Sequence, residues 1–153
     1  MDLHPDFRDL LAEFVRYEVS FAILGGYAVG HHAKPRATKD LDLLVAGSKE
    51  NLERVANALS TFGAPSTVTE AARTMQPHDI VYLGVAPVRI DILTSADGID
   101  TDSALSRTET VNLGDLEVPV IALDDLIANK RASGRPQDLA DVALLERVRA
   151  RRS

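Results

Sequence analysis

The sequence predicts an α+β fold in which helices cover a mixed β-sheet and the C-terminal end is helical. Short apolar strand patterns and helical patterns follow one another along the chain, and hairpin-like and crossover connections both occur. The last patterns are helical only. With 153 residues, 45% of them hydrophobic, the chain is long enough to bury a core, and we expect residues 1–153 to form one domain.

Composition and charge exclude several classes of function. The chain contains no cysteine, which excludes disulfides, thiolate metal sites and a cysteine nucleophile and fits a reducing cytosol. It lacks the basic and apolar start of a signal peptide and any apolar run that could span a bilayer, so we expect a cytoplasmic protein without a membrane partner. The net charge of −6 argues against specific DNA binding, and we interpret the basic residues 147–152 as a solvated helix end.

Apolar spacing predicts the elements of the first part of the chain. An initial helix follows Pro5, and its apolar face consists of Phe7, Leu10, Leu11, Phe14 and Tyr17. The apolar run Phe21–Leu24 predicts a strand that ends at a glycine pair. A short helix is expected over residues 27–32, since a proline follows it. The surface of this helix explains the adjacent His31 and His32, which we do not expect to bind a metal.

The middle of the chain predicts further strands around one amphipathic helix. Residues 40–46 form an apolar strand pattern, and the helix after it has one face made of Leu52, Val55, Ala56 and Leu59. Residues 63–77 show no clear period and are expected to be mostly loop. The runs Ile80–Val85 and Val88–Leu93 predict a hairpin that turns near residues 86–87.

The end of the chain predicts two short strands and two helices. The strands flank a turn at residues 114–115. One helix is expected over residues 123–132, ending near Gly134, and the last begins at Pro136, because proline is favoured at the first helical position.

Two aspartates on the predicted strand of residues 40–46 point to a metal site. Asp40 and Asp42 lie two residues apart, so their side chains project from one face of the strand. Apolar side chains occupy the other face. Adjacent carboxylates repel each other unless a cation neutralises them, and hard ions such as Mg²⁺ or Mn²⁺ prefer oxygen ligands. Asp91 interrupts a later apolar run, and we expect these three acids, with no compensating cation from their own strands, to form one site.

A glycine pair precedes these acids. Gly25 and Gly26 follow a predicted strand and open a helix, where backbone N–H groups and the helix N-terminus attract a phosphate. The same pair is also explained by a tight strand-to-helix turn that needs the conformational freedom of glycine. The two interpretations are compatible.

Several stretches together resemble a known family. The segment Leu24-Gly-Gly-Tyr-Ala28, followed by Arg36-Ala-Thr-Lys-Asp-Leu-Asp-Leu-Leu-Val45, resembles the signature of minimal nucleotidyltransferases of the DNA polymerase β superfamily. That signature is a Gly-Gly or Gly-Ser pair, a short helix and Asp-x-Asp. The third acid of the family matches Asp91. The segments 81–94 and 126–141 resemble a bacterial subgroup of small stand-alone proteins, so the likeness covers nearly the whole chain and implies the nucleotidyltransferase fold.

The resemblance implies a role for each matching residue. Asp40 and Asp42 would bind two Mg²⁺ or Mn²⁺ ions that hold a nucleoside triphosphate. Asp91 would hold the catalytic metal and help to deprotonate the attacking hydroxyl, and Gly25 and Gly26 would lie against the phosphates. Two metal ions can stabilise both the attacking and the leaving oxygen of an in-line displacement.

Cationic residues are further candidates for binding the triphosphate. Arg36 precedes the acidic strand and is placed to reach it, with Thr38 and Lys39 as additional candidates. Lys130 shares a helical face with apolar residues, so it either extends to the surface or points at the site. Arg135 is expected at the turn between the last two helices.

Two acids after that turn have an ordinary explanation. Asp138 and Asp141 fall near the start of the last helix, where acids are favoured by the helix dipole. We therefore do not assign them to the site.

Three functions remain open at this point. The first is a transferase that moves a nucleoside monophosphate from a nucleoside triphosphate to a hydroxyl of a small molecule, an RNA end or a protein, with release of pyrophosphate. The second is a regulatory protein, such as the antitoxin that binds a toxin partner. The third is a nucleotide-binding module without transfer activity. The complete set of three acids favours the first over the third, since binding alone would not require all of them.

Overall fold

A six-stranded mixed sheet forms the centre of the protein in a computed structural model that describes residues 3–36, 38, 40–85 and 88–152. Its strands are β1 (Phe21–Leu24), β2 (Asp40–Val45), β3 (Ile80–Val85), β4 (Val88–Leu93), β5 (Glu109–Leu113) and β6 (Leu116–Val120). The spatial order is β3-β4-β2-β1-β6-β5. Strand β2 is parallel to β4 and β1 to β6, whereas the other neighbours are antiparallel. This confirms the predicted mixed sheet.

Helices surround the sheet. Within the described residues they are α1 (Pro5–Arg16), α2 (Gly25–His32), α3 (Lys49–Phe62), α4 (Ser66–Arg73), α5 (Thr101–Leu105), α6 (Leu123–Ser133) and α7 (Pro136–Arg152). The predicted C-terminal helices and both strands of the predicted hairpin are confirmed, and the hairpin turn at residues 86–87 lies outside the described residues. None of the described helices is both long and apolar enough to cross a membrane.

The helix α4 corrects one prediction, because residues 63–77 were expected to be mostly loop. The buried face of α4 consists of the small residues Thr69 and Ala72, which lie one turn apart against the rest of the core. Val68 and Ala72 lie at helical spacing and pack against the core, so a periodic signal was present, but it extends over only eight residues. Helix α5 was also missed, since it has only five residues; Asp100 caps it by accepting a hydrogen bond from the Ser103 backbone N–H at 3.0 Å.

The end of α2 corrects a second prediction. His32 was expected on the helix surface, but it is only 5% exposed and its Nε2 lies 2.7 Å from the Ile121 carbonyl oxygen. Helical spacing could not predict the burial of His32. The residue that covers it, Ile121, reaches α2 only because β6 pairs with β1, and that contact joins distant parts of the chain.

The register of the central strands places the acids on one face of the sheet. Leu41 and Leu43 are fully buried, and the alternation of the strand directs Asp40 and Asp42 to the opposite face. A shift of one residue would bury both carboxylates and expose both leucines, so the hydrophobic core fixes the register strongly.

Helix α1 covers the face that is opposite to the acids. In the β1–β2 ladder Phe21 pairs with Val45, which places Phe21 on the same side as the buried leucines of β2. The ring of Phe14 contacts that of Phe21 edge-on, with 5.2 Å between the centroids. The core under α1 therefore packs on one side of β2; on the other side Leu44 is also buried, whereas the carboxylates of Asp40 and Asp42 are only partly buried.

Candidate active site

Asp42 and Asp91 lie side by side on the neighbouring parallel strands β2 and β4. The same ladder pairs Asp40 with Arg89, so four charged side chains project from one patch of the sheet. Burial, and then the negative charges of Asp91 and Asp40, raise the pKa of Asp42 from 3.8 to about 7. The nearby positive charges therefore do not fully neutralise the carboxylates of Asp42 and Asp91.

Arg89 belongs to this charged patch and was not singled out by sequence analysis. Its Nε donates to Asp91 Oδ1 at 2.8 Å, and its Nη2 donates to Asp91 Oδ2 at 3.1 Å and to Asp40 Oδ2 at 3.0 Å. The guanidinium also lies over the ring of Tyr82, 5.1 Å from its centroid. The expectation that the acidic strands supply no cation was thus wrong. The signal was available, because Arg89 and Asp91 are two residues apart on a strand and share a face.

The donor set fits a divalent metal ion of the magnesium class. It consists of carboxylate oxygens from Asp40, Asp42 and Asp91, which are the ligands that such ions prefer. Arg89 bridges Asp40 and Asp91, and its hydrogen bonds within the described residues do not reach Asp42. Arg89 and a metal ion would compete for the same oxygens.

The glycine pair forms the turn from β1 into α2, directly beside Asp42. Gly25 has φ +64°, in the left-handed region that favours glycine, and a Cβ at its position would overlap the Asp42 carboxylate. A Cβ on Gly26 would come within 2.7 Å of Thr38 Cγ2. Among the described residues no side chain caps the start of α2, and Gly25 and Gly26 line the cleft, so the first N–H groups of α2 are candidate donors for an anion there.

The candidate cations Arg36, Lys130 and Arg135 line the same cleft as the acids and are held by two aspartates of α7. Lys130 Nζ contacts Asp138 Oδ1 at 3.3 Å and Asp141 Oδ2 at 3.1 Å. Arg36 donates to Asp141 at 2.7 Å and 3.2 Å, and Arg135 Nε donates to Asp138 Oδ2 at 2.7 Å. Hydrogen bonding from Arg135 in particular holds the pKa of Asp138 below its usual value.

This network settles where three predicted residues lie. Lys130 does not extend to the surface, because its side chain is only 10% exposed. Asp138 and Asp141 are not ordinary exposed acids of a first helical turn, since both are buried and bind the cations. Their burial depends on the packing of α6 against α7, which the sequence position of the two acids does not reveal.

The predicted residues surround one cleft of about 830 Å³ between the sheet and the last two helices. Its lining includes all three acids, both glycines and Arg36, Thr38, Lys130 and Arg135. Thr38 accepts a hydrogen bond from the Tyr27 hydroxyl through its carbonyl oxygen at 3.2 Å. Lys39 lies outside the described residues. The far wall contains His78, Ser95 and Asn129, which sequence analysis did not single out.

A family model covers almost the whole chain. Residues 9–152 match the family described as "Nucleotidyl transferase AbiEii toxin, Type IV TA system". The resemblance to nucleotidyltransferases is thereby confirmed. The family is described as the toxin of a toxin–antitoxin system, which corrects the interpretation of the chain as an antitoxin. No curated protein matches the chain at a significant level.

Solved structures show the same fold. The lincosamide antibiotic adenylyltransferase LnuA, bound to lincomycin, is 14% identical with a TM-score of 0.60, covering 95% of this chain and 98% of that one. The antibiotic-resistance factor ANT(2″)-Ia, in complex with adenylyl-2″-tobramycin, is 16% identical with a TM-score of 0.58, covering 94% of this chain and 91% of that one. At these identities the likeness establishes the nucleotidyltransferase fold and leaves the substrate open.

Proposed function

This chain belongs to the AbiEii nucleotidyltransferase family, and we propose that it transfers a nucleoside monophosphate from a nucleoside triphosphate to a hydroxyl, releasing pyrophosphate. The observation that carries the proposal is the position of Asp42 beside Asp91, with Asp40 on the same face and the glycine turn against Asp42. Carboxylates suited to a metal and N–H groups suited to phosphates thus line the same cleft.

The acids hold the metal and accept the proton. Asp40, Asp42 and Asp91 would bind Mg²⁺ or Mn²⁺, which supplies positive charge to the transferring phosphoryl group and to the departing pyrophosphate. Asp91 accepts the proton of the acceptor hydroxyl as its oxygen bonds to the α-phosphorus. The bond from the α-phosphorus to the oxygen that bridges the β-phosphate then breaks, and pyrophosphate leaves with that electron pair.

The remaining residues position the triphosphate. The N–H groups of Gly25 and Gly26 donate to the phosphate oxygens at the start of α2. Arg36, Lys130 and Arg135 provide positive charge in the same cleft, where Asp138 and Asp141 fix the direction of the three side chains. Thr38, which packs against Gly26, contributes a hydroxyl at the same place.

Transfer is tested by incubating the protein with α-labelled nucleoside triphosphates, Mg²⁺ and a cell lysate, one nucleotide at a time. The expected result is one labelled acceptor in the wild-type reaction and none with Asp42→Asn. Asp102→Asn is the matched control, because Asp102 is an exposed aspartate on α5, outside the cleft. Equal labelling by wild type and Asp42→Asn would refute the proposal.

A second candidate function is that of a toxin that acts through the same nucleotidyl transfer. The family description favours a toxin role, and we propose that the acceptor would then be an RNA end or a protein of the cell that makes it. Induced expression of the wild type would then arrest growth, whereas Asp91→Asn would not. Arrest by both proteins would assign the effect to binding of a partner, and arrest by neither would exclude the toxin role under those conditions.

A further inference from the structure

A second cluster of metal-ligating side chains lies away from the cleft, at the C-terminal end of α2. His31 and His32 both face Glu109, the first residue of β5. His31 Nε2 is 3.5 Å from Glu109 Oε1, and His32 Nδ1 is 3.7 Å from Glu109 Oε2. One donor atom from each of the three residues lies within 4.8 Å of the other two.

The buried His32 has the protonation state that a metal ligand needs. Its side chain is fully buried, and its Nε2 lies 2.7 Å from the Ile121 carbonyl oxygen, which can only accept. Nε2 therefore carries the proton, and the lone pair of Nδ1 is directed toward Glu109. Burial also lowers the pKa of His32, in favour of the neutral imidazole. A backbone carbonyl that orients a histidine in this way is the usual outer partner of a metal-bound imidazole.

We propose that His31, His32 and Glu109 form a binding site for a transition-metal ion of the zinc class. Two imidazole nitrogens and one carboxylate oxygen are a typical protein donor set for Zn²⁺, with a fourth position left for water. Nitrogen donors disfavour Mg²⁺, so the ion differs from the one expected at the aspartates. The carbonyl end of α2 adds a favourable dipole for a cation.

The site would join two parts of the fold. The ion would tie the end of α2 to the edge strand β5, while the other end of α2 carries the glycine turn at the cleft. We therefore expect the metal to stabilise the folded protein and to hold α2 in place relative to the sheet.

Arg152 opposes metal binding at this position. Its Nη1 lies 3.4 Å from Glu109 Oε2, and its Nη2 lies 3.4 Å from His32 Nδ1. Its side chain is 48% exposed in the last turn of α7, so it has room to withdraw into solvent when an ion binds. Because the positive charge of Arg152 repels a metal ion, removal of Arg152 should strengthen the binding of Zn²⁺.

The test is a titration of the whole protein with Zn²⁺ in excess Mg²⁺, with Co²⁺ absorption as a spectroscopic check on nitrogen coordination. His31→Ala and Glu109→Gln should each weaken Zn²⁺ binding by at least about tenfold, judging by the loss caused by outer-shell changes alone. Both residues are partly exposed, so the fold should survive, as circular dichroism would verify. His4→Asn is the control, since Asn retains the helix-capping acceptor that His4 supplies to α1.

Arg152→Ala should tighten Zn²⁺ binding, and Zn²⁺ should raise the melting temperature of the wild type but not of Glu109→Gln. The triple change Asp40→Asn, Asp42→Asn and Asp91→Asn should leave Zn²⁺ affinity unchanged, which separates this site from the proposed active site. Equal affinity in wild type, His31→Ala and Glu109→Gln would overturn the proposal. So would a loss of the same size in His4→Asn.

Discussion

Asp42 on β2 and Asp91 on β4 are register partners, side by side on two adjacent parallel strands. Burial and the negative charges of Asp91 and Asp40 raise the pKa of Asp42 to about 7. The folded protein therefore holds a proton on Asp42 at pH values where the unfolded chain has lost it. The resulting contribution to the free energy of unfolding is complete below about pH 4 and disappears as the pH rises through about 7.

The first prediction follows from this pH dependence. Asp42→Asn cannot ionise, so at pH 8 the metal-free variant should have a larger free energy of unfolding than the wild type, by on the order of 2–4 kcal/mol. The difference should vanish toward pH 4, where the wild-type carboxyl is protonated as well. Urea titrations across this pH range measure it, with Asp102→Asn as the control. A difference that stays constant with pH would contradict the raised pKa.

The second prediction concerns metal and nucleotide together. Because the acids repel a triphosphate unless a cation neutralises them, Mg²⁺ and the nucleotide should each strengthen the binding of the other. Calorimetry with and without Mg²⁺ measures the coupling, which we expect to exceed about tenfold, or 1.4 kcal/mol. Equal nucleotide affinity under both conditions would show that the three acids do not form the metal site.

The third prediction concerns Arg89, whose guanidinium occupies oxygens that a metal would use. Replacing it by methionine in Arg89→Met removes the competing charge, so Mg²⁺ affinity of the nucleotide-free protein should rise by about tenfold or more. Arg89→Lys keeps the charge and should change the affinity less. Weaker Mg²⁺ binding in Arg89→Met would instead mean that Arg89 supports the geometry of the acids.

The fourth prediction concerns Lys130. Lys130→Ala removes the ammonium that Asp138 and Asp141 share, while Arg135 and Arg36 still bind these acids, so the free energy of unfolding should fall by about 1–3 kcal/mol. Adding Asp141→Asn to this variant should recover part of the loss, which a double-mutant cycle would quantify. If Lys130→Ala is as stable as wild type, the network contributes specificity or binding rather than stability.

Nucleotide affinity is the second readout for Lys130. A contact with phosphate should contribute on the order of 1–3 kcal/mol, as hydrogen bonds to charged groups do. Affinity should therefore fall in a folded Lys130→Ala protein and stay low when stability is restored by Asp141→Asn. Full affinity in that double variant would assign Lys130 to the fold alone.

The local patterns of the sequence predicted the strands well because burial alternates over the first four residues of β2, from Asp40 to Leu43. Leu41 and Leu43 had to face the core, which left Asp40 and Asp42 on the other face. The turn at the glycine pair could be predicted as well, since a Cβ at either position would overlap the side chain of Asp42 or Thr38. In the strand and in the glycine turn, the steric or burial requirement involves residues that are close in sequence. It is therefore visible in the spacing of residue types along the chain.

Features that depend on distant parts of the chain could not be predicted in the same way. The burial of Asp138 and Asp141 requires α6 and α7 to close over Lys130, and the burial of His32 requires β6 to bring Ile121 to α2. The helix α4 was missed because it has only eight residues, which is too short a stretch for the helical spacing of Val68 and Ala72 to stand out between glycine and proline signals. Arg89 was the exception, because its spacing to Asp91 already indicated an ion pair on one strand face.

The most direct test of the central claim, that these acids perform nucleotidyl transfer, is the rate of labelling by Asp91→Asn once an acceptor is identified. Asparagine preserves the shape of the side chain but removes its charge and its capacity to accept a proton. We expect nucleotide affinity to remain within a few-fold of wild type and the labelling rate to fall by about 10²–10⁴-fold. Labelling by folded Asp91→Asn at the wild-type rate would contradict the mechanism.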